Sequence, residues 1–192
     1  MAVILDENKA LLVTWTTYGS WLPGDDRGFV SNRVTRVGTY ERKRNALGEL
    51  PYAGDERTRA IAQGQQKWTT TFLTPENAWC VAQSLCELAN KRGWLIPRAS
   101  IMRQHVHVVV IQCPDDGPAV RRVLKGVTQS DLCKHEGKQR RWWTHRGSNR
   151  YVKGAEAIEA AIKYVAEQEY KLAEVVAGKP YRCRKKRIIR KR

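Results

Sequence analysis

The run His105-Val106-His107-Val108-Val109-Val110 constrains the fold of this chain more than any other stretch. A β-branched apolar run of this length reads as a buried strand. Side chains alternate along a strand, so both imidazoles fall on one face, with Cα atoms roughly 6.5–7 Å apart. That spacing lets two ring nitrogens grip one metal ion. The same pair also describes two hydrogen-bonded strand histidines, and the run by itself does not choose between them.

Charge narrows the partners. The 192 residues carry 35 Lys and Arg against 19 Asp and Glu, a formal charge of +16. A field of that sign attracts polyanions, chiefly nucleic acid or an anionic membrane. No apolar run approaches the ~18 residues that a transmembrane helix needs. The stretch Met1-Ala2-Val3-Ile4-Leu5-Asp6-Glu7 lacks the basic region of a secretory signal. The expected partner is therefore nucleic acid, with no membrane role. Cys80, Cys86, Cys113, Cys133 and Cys183 are odd in number and show no Cys-x-x-Cys spacing. They fit reduced thiols in a cytoplasmic protein, associated with the nucleoid, and are most simply small core residues. On such a basic chain, a metal held by the histidine pair points to phosphodiester chemistry.

Local signals set the element order. Residues 9–18 read as a first strand, followed by the turn cluster Trp21-Leu22-Pro23-Gly24-Asp25. From about 26 to 70 the chain is polar and Arg-rich, with Arg33, Arg36, Arg42, Lys43, Arg44, Arg57 and Arg59. It is expected to be a long basic insertion with one short helix. Thr74-Pro75-Glu76 opens a helix that Gly93 ends. A second strand over 94–102 is interrupted by Pro97, and the third covers 105–113. Another helix spans about 118–135, showing Arg121, Arg122 and Lys125 on its outer face. The basic stretch with Arg140 and Arg141 leads into two short strands about a turn, up to Val152. A last helix is expected from Gly154 to about Val176. The tail over 177–192, with Lys185, Lys186 and Arg187, contains no acid and is expected to be disordered alone and to bind phosphates.

This order predicts an α+β protein with a ferredoxin-like (RRM-like) antiparallel sheet, helices on one face and an added C-terminal helix. The single domain covers 9–176, with the insertion at about 26–70. Stepping about 100° per residue along the last helix gathers Ile158, Ala161, Val165 and Leu172 into an apolar stripe. Tyr164 falls about 200° and Gln168 about 240° from Ile162, so the two share a face one turn apart and off the core. Taken singly, each is an ordinary surface side chain. Glu169 falls in line with the apolar stripe, which the helix reading does not explain.

Taken together, the His-x-His strand followed by a helix bearing Tyr-x-x-x-Gln resembles the single-tyrosine HUH transposases. These are the insertion-sequence-200/605-like (IS200-like) enzymes and the related REP-associated tyrosine transposases. Thr14-Trp15-Thr16-Thr17-Tyr18-Gly19 and Leu22-Pro23-Gly24-Asp25 look like the first strand and loop of the latter group. The resemblance implies an HUH endonuclease fold, in which His105, His107 and Gln168 hold Mg²⁺ or Mn²⁺ and Tyr164 is the nucleophile. It implies cleavage and rejoining of single-stranded or hairpin DNA through a covalent 5′-phosphotyrosine. It is compatible with a homodimer, the tyrosine serving its own site or a partner's. The long insertion and the basic tail depart from the compact members.

Arg121, Arg122, Lys125, Arg140, Arg141, Lys185, Lys186 and Arg187 are the expected phosphate contacts. Trp21, Trp142 and Trp143 are either base-stacking platforms or core. A phenol of pKa about 10 needs help to ionise, with Lys163, Lys171 and the metal as candidates. Tyr151 and Tyr170 are fallback nucleophiles. Two other readings remain open: an HUH replication initiator or relaxase, and a non-catalytic nucleic-acid-binding protein on a ferredoxin-like sheet.

Overall fold

Alternation along the first strand decides how the sheet is covered. In β1 (Lys9–Thr16) the residues Leu11, Val13 and Trp15 are buried on one side, while Ala10, Leu12, Thr14 and Thr16 face the other. The computed structural model describes residues 9–30, 33–35, 37–42, 44, 50–113 and 116–183. The remaining elements are β2 (Arg33–Val34), β3 (Tyr40–Glu41), α1 (Glu56–Gly64), α2 (Pro75–Arg92), β4 (Leu95–Met102), β5 (His105–Ile111), α3 (Gly117–Glu136), β6 (Ser148–Lys153), α4 (Ala155–Ala166), β7 (Lys171–Val176) and β8 (Lys179–Arg182). No helix among the described residues is long and apolar enough to cross a membrane.

Six strands form one antiparallel sheet in the order β6-β1-β5-β4-β7-β8. The first four follow the β-α-β-β-α-β course of the ferredoxin-like motif. The hairpin β7–β8 extends it beyond β4, and β8 is an edge strand carrying Pro180. Leu11, Val13 and Trp15 join Val106, Val108 and Val110 of β5 and the apolar faces of α2 and α3 in the main core. On the opposite face Ala10, Val109 and Val152 pack under Ile158, Ala161 and Val165 of α4. Strand β5 is thus covered on both sides over Val108–Val110, which is why its sequence is apolar without alternation. Its first three residues carry the two histidines.

The helix ends follow their sequence signals. Thr74 Oγ1 accepts from the Asn77 amide, Asn77 Oδ1 accepts from the Thr74 amide, and Gly93 closes α2 at φ 66°. Asp116 caps α3, which Gly137 ends in the same left-handed conformation. Pro97 sits in a register shift of β4 between Leu95 and Arg98.

Two expectations are corrected. The last helix stops at Ala166 rather than near Val176. Residues 171–176 place Ala173 and Val175 in the main core with Glu174 on the other face, a two-residue period that a strand satisfies. Ala177 and Gly178, both at positive φ, make the tight turn into β8, so 179–182 belong to the sheet. Glu169 lies outside the helix, exposed in a bend, so its place on the apolar stripe was fictitious. Between α3 and Val152 there is one strand rather than two. Trp143 makes only an isolated bridge to Thr17, and both Trp142 and Trp143 are core.

Residues Tyr18–Thr71, which contain the expected insertion, form a compact unit of their own; the sheet and its helices form the other. Within Tyr18–Thr71, Asp55 accepts from the Thr58 amide as cap of α1 and pairs with Arg33. Thr58 and Arg33 hold its carboxyl below the usual range. Tyr52 bridges Phe29, and the guanidinium of Arg44 lies 4.1 Å from its ring centroid. Gly24, at φ 87°, lies so close to Asp55 O and the Arg59 amide that a Cβ would stand 2.3 Å from each. Only glycine fits there. Arg36, Lys43 and the tail residues Lys185, Lys186 and Arg187 lie outside the described residues.

Candidate active site

The register of the sheet builds a polar row through His107. Across the α4 face, Ser148, Thr14, His107, Ser100 and Glu174 are successive cross-strand neighbours on β6, β1, β5, β4 and β7. His105 stands one pleat further along, opposite Thr16. The two imidazoles meet edge to face with centroids 5.1 Å apart. Thr14 Oγ1 and His107 Nδ1 are 2.8 Å apart, which fixes the ring and leaves Nε2 for another partner. His107 is 7% exposed. Burial, with the adjacent His105, pushes its pKa down to about 4. The ring is therefore neutral at physiological pH and keeps a lone pair to donate.

Helix α4 brings Tyr164 to this pair. Its ring lies edge to face on His107, centroid to centroid 5.5 Å, and is 49% exposed. Gln168 sits just past the helix end and donates through Nε2 to the Tyr164 carbonyl at 3.0 Å, so the two stay one turn apart. His107 is thus in ring contact with both His105 and Tyr164, with Gln168 tied to the tyrosine's main chain.

The other candidates sit elsewhere. Tyr151 pairs with Leu11, on the α2 and α3 side of the sheet, and its hydroxyl accepts from the Gly117 amide. Tyr170 is 83% exposed beyond α4, at φ 55°. Lys171 is held by Ala166 O and Glu174, and Lys163 lies beside Glu167.

The basic residues of α3 belong to the helical layer on the face away from the histidines. Arg121 donates to Gly147 O and to Asn149 Oδ1, and Lys125 donates to Thr144 O and Arg146 O. These bonds staple the 144–149 segment to α3. Burial, with Arg121 and Arg141 near, pulls Lys125 down to about 8. Arg122 and Arg141 are exposed, and Arg140 stacks over the buried Trp142 at 4.8 Å. Trp21 is half exposed under Arg27. Arg150 was missed from sequence. It pairs with Leu12 on the histidine face of the sheet and is exposed. Only the strand register reveals it, together with Thr14 and Ser100.

Among the described residues no group of three or more His, Cys, Asp or Glu side chains that could hold a metal is found. The histidine pair fits a divalent cation in part. It offers two adjacent imidazoles, that of His107 oriented by Thr14 and held neutral. The side-chain nitrogen of the candidate ligand Gln168 is already engaged by Tyr164 O, leaving its amide oxygen as the donor. Such a set leaves half of a six-coordinate shell to outside oxygens.

No family model matches the chain, and no curated protein matches it. Among solved structures, the chain is similar to that of a REP-associated tyrosine transposase bound to a REP hairpin. The TM-score is 0.43 and the identity 8%, over 86% of this chain and 68% of that one. By its own strand pairing, the chain is an α+β protein with a six-stranded antiparallel sheet, helices α2 and α3 on one face and α4 on the other.

Proposed function

We propose that this protein is a metal-dependent tyrosine transposase that cuts and rejoins single-stranded or hairpin DNA, with Tyr164 as nucleophile. One observation carries the reading: a half-exposed tyrosine stands in ring contact with a buried, neutral histidine whose strand neighbour is a second histidine. Core packing does not require a tyrosine there.

Mg²⁺ or Mn²⁺ bound by His105, His107 and Gln168 would polarise the scissile phosphate and offset charge growing on its oxygens. Thr14 holds the His107 ring through Nδ1, which would leave Nε2 to ligate the ion. Tyr164 Oη attacks phosphorus in line; the bond to the 3′ oxygen breaks as the bond to tyrosine forms, the phenolic proton passes to solvent, and the leaving 3′ oxygen takes a proton from solvent. The product is a 5′-phosphotyrosine and a free 3′ hydroxyl. An incoming 3′ hydroxyl reverses the step and joins a new strand without ATP, and no Gly-x-x-x-x-Gly-Lys-Ser/Thr loop is present in the sequence. Exposed Arg150, on the histidine face, tracks phosphates beside the site, and the charge of the chain, with exposed Arg122 on α3 and Arg141 near it, attracts nucleic acid more generally. Tyr164 meets His107 of its own chain, so a single copy assembles these groups. The five free thiols suit a cytoplasmic setting.

The test uses end-labelled single-stranded oligonucleotides from the flanks of the coding gene, with Mn²⁺ or chelator, on denaturing gels. A metal-dependent covalent adduct that disappears in Tyr164→Phe is the expected result. Tight binding without an adduct on any flank would leave a non-catalytic nucleic-acid binder.

A further inference from the structure

Helix α4 ends in carbonyls that have no partner within the helix, as every helix does. Here the last three, those of Tyr164, Val165 and Ala166, each accept from a side chain outside the helix. Gln168 Nε2 donates to Tyr164 O at 3.0 Å, Ser100 Oγ to Val165 O at 2.6 Å, and Lys171 Nζ to Ala166 O at 2.9 Å. Ser100 belongs to β4 and is fully buried, next to His107 in the polar row. Lys171 belongs to β7.

Lys171 reaches this place through an irregularity. The register shifts between Ile101 and Met102, pairing Ile101 with Ala173 but Met102 with Lys171. Leu172 packs into the main core with Ala173, and Lys171 turns to the α4 face that Glu174 also occupies. There Glu174 Oε2 accepts from Lys171 Nζ and from Arg98 Nη2, both at 2.6 Å, with all three side chains at most 20% exposed. A largely buried ion cluster is a poor source of stability, because desolvation opposes the attraction. Its visible result is a fixed ammonium under the end of α4.

The opposite end of α4 has no such side-chain partners among its cap residues. Gly154 offers no side-chain cap, and the helix has only 12 residues, of which Ile158, Ala161 and Val165 are buried. A helix that short depends on tertiary contacts to hold its place. We propose that Ser100 and Lys171, the latter held by Glu174, which Arg98 in turn anchors, are positioning residues that fix the last turn of α4 and so set the Tyr164 ring against His107. Its purpose rests on the strand-transfer reading, but its geometry does not.

The experiment compares the full-length protein with Lys171→Met, Lys171→Arg and Ser100→Ala. Hydrogen exchange is followed in peptides covering 160–168, with peptides from α3 as the internal reference. Lys171→Met and Ser100→Ala should speed exchange of the last-turn amides about tenfold or more and leave α3 unchanged. Adduct formation with single-stranded DNA should slow about 10- to 100-fold while oligonucleotide Kd moves less than about twofold, the signature of a misplaced reacting group. Lys171→Arg should restore both readouts. If Ser100→Ala fails to fold, the Lys171 pair still decides the matter. Unchanged exchange and unchanged adduct rate in Lys171→Met would overturn the clamp and leave the function proposal intact. Faster exchange in a protein whose wild type forms no adduct would sustain the clamp and overturn the function.

Discussion

The two faces of the sheet are built to different standards. The α2 and α3 face buries Trp15, Leu85, Ile101, Leu124 and Leu132 almost completely, and both of its helices are capped at each end by side chains or glycine. The α4 face buries a handful of small side chains under one short helix with no side-chain cap at its start. The first face accounts for most of the apolar area removed from water, the dominant favourable term in folding. The second carries both histidines, the tyrosine and the polar row. Stability and candidate chemistry are thus separated by the thickness of one sheet, and each can be altered with limited effect on the other.

The sharpest way to break this comparison is Tyr164→Phe. Covalent adduct should fall below detection on denaturing gels, while unfolding free energy from urea titration should shift by less than about 0.5 kcal/mol. A mirror-image result is expected on the other face. Leu124→Ala, at a fully buried position of α3, should cost about 2–5 kcal/mol in urea titration. Ile162→Ala, partly buried on α4, should cost under about 1.5 kcal/mol. Equal losses would mean that the faces share one load.

A subtler cut leaves both cores alone. Thr14→Val removes the partner of His107 Nδ1 and should weaken Mn²⁺ binding about 10-fold or more by calorimetry, since groups that orient a ligand typically matter by that factor. Unaltered Mn²⁺ affinity would remove Thr14 from the site.

The smallest effect concerns the staple on the α3 side. Lys125 titrates at about 8 in the folded chain, against 10.5 for an ordinary lysine. Between those values the unfolded chain binds more protons, so stability should rise with pH across that window. Lys125→Met should flatten the rise in urea titrations at pH 8, 9 and 10. An identical slope in wild type and variant would assign the rise to other groups.

Much of the fold was legible because its signals are local. The Thr74 and Asp116 starts, the Gly93 and Gly137 stops and the β5 run are written within a few residues of where they act. The His105, His107 and Tyr164 grouping was legible from period and resemblance, and the structure brings those rings together. The over-long last helix was not, because Leu172, Val175 and Val176 suit either period and the core decides which is used. Thr14, Ser100 and Arg150 were out of reach for a different reason. Each earns its place from a partner on another strand, and cross-strand register depends on contacts distant in sequence. Trp142 and Trp143, beside basic residues, were candidate stacking platforms with the core as the favoured alternative, and they close the main core.

Pro180 on the outermost strand bears on how the molecule behaves in a crowd. An exposed sheet border is a template on which a foreign strand can grow. On β8 that border lacks one main-chain donor and carries Lys179 and Arg182, so an incoming strand meets a gap in its ladder and like charge from any copy of this same chain. A strongly cationic protein is shielded there from the self-association that a longer, flatter hairpin would invite.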